Sequence, residues 1–239
     1  MGWETRETAG VGQARGTRPP KSEYLAAWAA GHGGHDPASG GRAERAWFDL
    51  VFRVAGPLRR VHPDAITAAA VLVAALAAAV AGGDARWCLL AGALVVISAL
   101  LDGVDGAVAV MTGRATRWGH LVDSLGDRLA EALFAFALYE AGAPWQLCAS
   151  AAAFGWLQEY ARARAAAGGV SDLLVVTVAE RPTRVIAAAL GLLAAGLLGP
   201  ESLGELDAEL AVFCGAVAWV SLGLVGLVQL LHALRRALR

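Results

Sequence analysis

Four aspartates occupy 26 residues in the middle of this chain, Asp102 and Asp105 three apart, Asp123 and Asp127 four apart. On a helix either spacing puts both carboxylates on one face. Two helices that present such pairs to each other make a cluster of four acids, where one apolar run ends and the next begins. An ionised side chain in mid-membrane costs about 2.5–3.5 kcal/mol on insertion scales. The cluster therefore calls for cations, and hard divalent ions take oxygen ligands.

The elements that must carry these residues belong in a bilayer. Of 239 residues 57% are hydrophobic and 17% charged, with a mean hydropathy of +0.52, too apolar for an average soluble domain. Six apolar spans are expected at 65–82, 87–106, 119–141, 144–162, 183–199 and 209–231. Several lie at the short end of the roughly 17–25 residues a crossing needs. Basic residues cluster at Arg53, Arg59 and Arg60, at Arg114 and Arg117, between Arg162 and Arg184, and at Arg235, Arg236 and Arg239, so these segments and both termini are expected to be cytoplasmic. The four acids then lie near the cytoplasmic face of the cell membrane. Ahead of the spans, Trp47, Phe48, Leu50, Val51, Val54 and Leu58 share a face, with Arg42, Arg45, Arg53, Arg59 and Arg60 on the rest. That is the pattern of an interfacial amphipathic helix. The expected fold is thus an all-α integral membrane protein, six transmembrane helices preceded by an amphipathic interfacial helix.

Residues 1–41 read as a mobile cytoplasmic tail, with one short helix over Lys21 to Ala30 carrying Tyr24, Leu25 and Trp28; 42–61 form the amphipathic helix and 62–239 the six-helix domain. No apolar run in the tail is long enough for a signal peptide. His32 and His35 read as solvated. Cys88, Cys148 and Cys214 lie in separate apolar runs, which argues for small core residues and against a disulfide framework.

The order Asp102-x-x-Asp105-Gly106-x-x-Ala109, then Gly119-x-x-x-Asp123-x-x-x-Asp127, resembles the signature of the CDP-alcohol phosphotransferase (CDP-alcohol phosphatidyltransferase) family of membrane enzymes. Seven fixed positions match, and the departure is Val110, where the family has arginine. The resemblance covers about residues 42–235 and implies attack by an alcohol on the β-phosphorus of CDP-diacylglycerol, with release of CMP, in phospholipid biosynthesis. It implies Mg²⁺ or Mn²⁺ in a two-metal site held by Asp102, Asp105, Asp123 and Asp127, with Asp127 also the general base. A nucleotide site would draw on Asp64, Thr67, Gly106, Ala109 and Gly119, the small residues leaving room for cytidine and ribose. Asp64 and Thr67 suit helix capping equally well, and Gly and Ala suit close helix packing. Basic residues at Arg162, Arg164, Arg181 and Arg184 would line a pocket for a phosphorylated acceptor, since guanidinium forks fit phosphate oxygens.

Glycerol 3-phosphate is the leading acceptor and inositol phosphate the alternative. A homodimer is expected, and no nucleic-acid partner. A cation-conducting membrane protein is the rival class, and it explains buried acids without explaining their fixed glycine intervals. With valine at position 110, Arg114 or Arg117 is expected to supply the missing positive charge from the following turn. Arg114→Ala or Arg117→Ala should then lower turnover sharply, and wild-type rates in both variants would reject that substitution of roles.

Overall fold

The computed structural model describes residues 21–31, 36–170, 176–198 and 205–238, and every described element is helical. The first 20 residues, with His32 and His35, lie outside the described part. Helix α1 spans Lys21–Gly31 and α2 spans Arg42–Leu58; six further helices follow, α3 Pro63–Ala81, α4 Ala85–Thr112, α5 Arg117–Glu140, α6 Trp145–Ala167, α7 Arg181–Leu197 and α8 Glu205–Ala237.

Their ends follow local chemistry. Pro63 sits in the first turn of α3, where its missing N–H is harmless, and Pro182 does the same for α7. The Asp84 side chain accepts from the Arg86 N–H to cap α4, and the Thr116 hydroxyl accepts from the Gly119 N–H at 2.9 Å to cap α5. Gly113 closes α4 with φ of 65°, a left-handed turn that favours glycine, and its N–H reaches the Ala109 and Val110 carbonyls. Helix α4 consequently runs six residues beyond the span expected to end at Gly106, so both of its aspartates lie inside a continuous helix.

Among the described residues, three helices are long and apolar enough to cross a membrane: α3, α4, and α8 over Asp207–Ala237. Helices α5 and α6 carry the charged residues of the candidate site, and α7 has only 17 residues. In the bundle α3 packs between α4 and α5, α7 against α4 and α8, and α6 against α8 and α5. The core is rich in alanine, with Phe134, Leu138, Leu192 and Trp219 as its large buried side chains. Small residues let the helices approach closely. A Cβ on Gly215 of α8 would stand 2.9 Å from the Gly191 Cα and 3.0 Å from the Ala187 carbonyl oxygen of α7. Cys88 and Cys148 are buried as free thiols, whereas Cys214, expected in the core, is exposed on the outer face of α8.

The apolar face of α2 is largely occupied by protein. Val51 and Ala55 are buried, and Trp47, Phe48 and Phe52 pack with them on Val104, Val108 and Met111 of α4. Helix α1 closes over this cluster. Tyr24 is buried and stacks on Phe52, Trp28 meets Phe48 edge-on, and Lys21 pairs with Asp49, holding that carboxyl below its ordinary range. Val110 packs against the same cluster.

Gly215→Leu forces a side chain into backbone at the α7–α8 crossing. It should destabilise the protein by about 1–3 kcal/mol, read as thermal unfolding in detergent. Gly41→Ala, with nothing within 4 Å of the added Cβ, should stay within about 0.5 kcal/mol of wild type.

Candidate active site

Helices α4 and α5 bring three of the four aspartates together. Carboxylate oxygens of Asp102, Asp123 and Asp127 lie within 4.8 Å of one another. The fourth, Asp105, is 3% exposed and stands apart from that group, its carboxylate accepting the hydroxyl proton of Thr67 from α3. Arg181, from the first turn of α7, reaches into the cluster, where it donates to Asp102 and lies 2.9 Å from Asp127. Arg181 and, 3.5 Å from Asp127, Arg128 are guanidiniums that meet these carboxylates. The Asp127 Oδ1, the oxygen 2.9 Å from Arg181 Nη2, is buried, and its approach to that nitrogen is an ion pair without hydrogen-bond geometry. An oxygen-only donor set of this charge fits a hard divalent cation.

A chain of charged groups runs from Asp127 into the bundle. The Arg128 Nη2 lies 3.5 Å from Asp127 and 3.4 Å from Glu131, and its Nη1 lies 3.6 Å from Glu159. Glu131 is wholly buried and held by Arg184, which donates to it through Nε at 3.1 Å and pairs through Nη2 at 2.9 Å. Gly155 of α6 makes room for this pair, because a Cβ there would stand 3.0 Å from the Glu131 Oε2. Arg184, expected at an acceptor phosphate, is 2% exposed and committed to Glu131, so the structure places it behind the site rather than in a pocket.

The other expected acceptor arginines lie differently. Arg162 pairs with Glu180 at 2.6 Å, and the same Glu180 oxygen accepts from the Thr177 N–H at 2.8 Å and the Thr177 hydroxyl at 2.9 Å. This ties the approach to α7 down to α6 and sets where Arg181 starts. Arg164 is exposed at the end of α6.

On the expected nucleotide side, glycines separate into open and packed positions. A Cβ on Gly106 would meet nothing within 4 Å, whereas one on Gly126 would meet the Thr67 Cγ2 at 2.7 Å. Gly119 lies beside Asp64, its Cβ position 3.7 Å from the Asp64 Oδ1, which brings the starts of α3 and α5 together. Ala109 is half-buried on α4. Arg114 reaches back to the Val61 carbonyl at 3.5 Å, and Arg117 is exposed in the first turn of α5.

Beside Asp127, between α5 and α6, a cavity of about 300 Å³ is lined by Ser124, Asp127, Arg128, Trp156, Glu159 and Tyr160 among others. A second of about 360 Å³ is lined by His120, Ser124, Glu159 and Arg162. Arg128 and Glu131 are missing from the sequence-based site. Their signal was that the Asp123, Asp127 face of α5 continues at i+4 to Glu131, with a cation directly after Asp127.

Residues 60–227 match the family model described as CDP-alcohol phosphatidyltransferase. The archaetidylinositol phosphate synthase of Pyrococcus horikoshii is 34% identical over 99 residues, 41% of this chain and 52% of that protein, so the match spans about half of that relative's length. The phosphatidylinositol phosphate synthase of Cutibacterium acnes is 30% identical over 202 residues, 80% of this chain and 95% of that protein. Among solved structures, the phosphatidylinositol phosphate synthase of Mycobacterium tuberculosis in complex with manganese and citrate superposes with a TM-score of 0.62 at 23% identity, covering 77% of this chain and 88% of that one. Its form with CDP-DAG bound superposes at 0.60. These structures share the fold. By the family match over most of its length, the chain belongs to the CDP-alcohol phosphatidyltransferases, membrane enzymes of phospholipid biosynthesis.

Proposed function

We propose that the chain moves the phosphatidyl group of CDP-diacylglycerol to a hydroxyl of a phosphorylated polyol, releasing CMP. The observation that carries this reading is the convergence of Asp102, Asp123 and Asp127 around Arg181 on the fold of a family that acts on CDP-alcohols. Inositol phosphate is favoured over glycerol 3-phosphate as acceptor, because the matched relatives are archaetidylinositol phosphate and phosphatidylinositol phosphate synthases.

Asp102, Asp123 and Asp127, with Asp105 one turn along α4, would hold Mg²⁺ or Mn²⁺ in a two-metal site. When bound, the cations offset the pyrophosphate charge and stabilise charge that builds on the phosphoryl oxygens. Asp127 takes the proton of the attacking hydroxyl. The hydroxyl oxygen forms a bond to the β-phosphorus, the bridging P–O bond breaks, and CMP leaves with that electron pair. Arg181 spans Asp102 and Asp127 and fixes their separation across the two helices. Thr67 orients Asp105. The open face at Gly106 and Ala109, the Gly119–Asp64 corner, and Arg114 with Arg117 receive the nucleotide. Arg162, Arg164 and Arg181 face the acceptor phosphate, and Arg184 supports them through Glu131.

All six helices from α3 to α8 cross the membrane in this reading. Helix α2 lies at the cytoplasmic interface with its arginines outward, both termini are cytoplasmic, and the enzyme works as a homodimer.

Purified protein with CDP-diacylglycerol, Mn²⁺ and inositol phosphate should release CMP. Asp127→Asn should slow that release by about a hundredfold to ten-thousandfold while binding of CDP-diacylglycerol persists; a wild-type rate would remove its role as base. A preference for unphosphorylated alcohols would remove the phosphate role of Arg162, Arg164 and Arg181.

A further inference from the structure

The cleft between α5 and α6 contains a residue whose charge runs against the anionic acceptor proposed above. His120, Ser124 and Arg128 recur four apart on α5 and face Glu159 and Arg162 of α6 across the two cavities, and Ser124, Glu159 and Ala163 line both. Volumes of about 300 and 360 Å³ suit a small ligand. Arg128 and Arg162 supply the positive charge that a phosphate needs. Glu159 stands between them with its side chain 41% exposed, and a carboxylate there repels a phosphorylated ligand.

Its existing pairs do not use it up. Arg128 is 3.6 Å away and Arg184 3.8 Å, both beyond hydrogen-bond length, and Arg184 already has Glu131 at 2.9 Å. An ionised carboxylate accepts hydrogen bonds and donates none. Water satisfies its remaining lone pairs until a ligand brings donors in its place, and the hydroxyls of a polyol are such donors. Ser124 on the opposite wall donates or accepts to the same ring.

Building on the phosphatidyl-transfer reading, we propose that Glu159 determines acceptor specificity by accepting hydrogen bonds from the ring hydroxyls of a cyclic polyol phosphate. A short acceptor such as glycerol 3-phosphate brings fewer hydroxyls to Glu159 while still placing its own negative charge nearby, and is disfavoured for that reason. Arg162 receives the phosphate, and Glu159 with Ser124 reads the ring next to Asp127, where the reacting hydroxyl must lie.

The test uses the purified full chain with CDP-diacylglycerol and Mn²⁺, comparing kcat/KM for inositol phosphate and glycerol 3-phosphate in wild type, Glu159→Gln, Glu159→Ala and Ser124→Ala. Wild type should prefer inositol phosphate. Both Glu159 variants should lose about tenfold or more with inositol phosphate, mainly through its KM, while glycerol 3-phosphate turns over as well as before or better. Ser124→Ala should shift the same ratio by a smaller factor, which keeps the test open if the Glu159 variants fold poorly. The KM for CDP-diacylglycerol and the unfolding temperature should not move. An acceptor ratio within about twofold of wild type in every variant, or an equal fall with both acceptors, overturns the role of Glu159. A wild type that releases no CMP with either acceptor overturns the transfer reading itself.

Discussion

Acidic side chains do not gather in an apolar helix bundle unless something holds them, and here it is the ion pairing of Arg181 with Asp102 and Asp127. Three helices meet at that point, α4 and α5 through their carboxylates and α7 through its first turn. Removing one partner of a buried pair leaves an uncompensated charge, at a cost of about 3–5 kcal/mol. The geometry of the site and the packing of the bundle are therefore one problem. Three carboxylates within 4.8 Å of one another form an oxygen-only donor set that suits divalent ions.

Behind that contact the charges alternate, from Arg181 through Asp127, Arg128 and Glu131 to Arg184. Each member lies beside one of opposite charge, which ties α5 to α7. Alanine and glycine fill the remaining space and let the helices come close enough for the chain to close, as Gly155 does for Glu131 and Gly126 for Thr67. The open space at Gly106 contrasts with these packed glycines.

Much of this was legible from local pattern. The spacing of the aspartates predicted paired acids on facing helices, and the apolar runs predicted the helix starts to within four residues, though α4, α6 and α8 run five or six residues past their expected ends. Periodicity did not reveal where α4 ends, because its last turn beyond Gly106 is set by the Gly113 cap rather than by hydropathy. Nor did it separate the arginines. Arg181 and Arg184 lie on the same face of one helix, yet one reaches the acid cluster and the other is committed to Glu131, 53 positions away in sequence. Pairing over that distance depends on tertiary packing, which single-sequence spacing does not encode. The same holds for Asp105, whose type and spacing match those of its neighbours but whose carboxylate is engaged by Thr67 of α3, and for α1, whose packing on α2 has no signature beyond Tyr24 and Trp28 lying one turn apart.

The central claim is that carboxylates from α4 and α5 hold divalent metal together. Titration of the purified chain with Mn²⁺, followed by electron paramagnetic resonance, tests it without reference to turnover. Wild type should bind the ion, and a double Asp102→Asn, Asp123→Asn variant that still unfolds in a single cooperative transition should not. Equal Mn²⁺ binding by the two proteins would contradict the account.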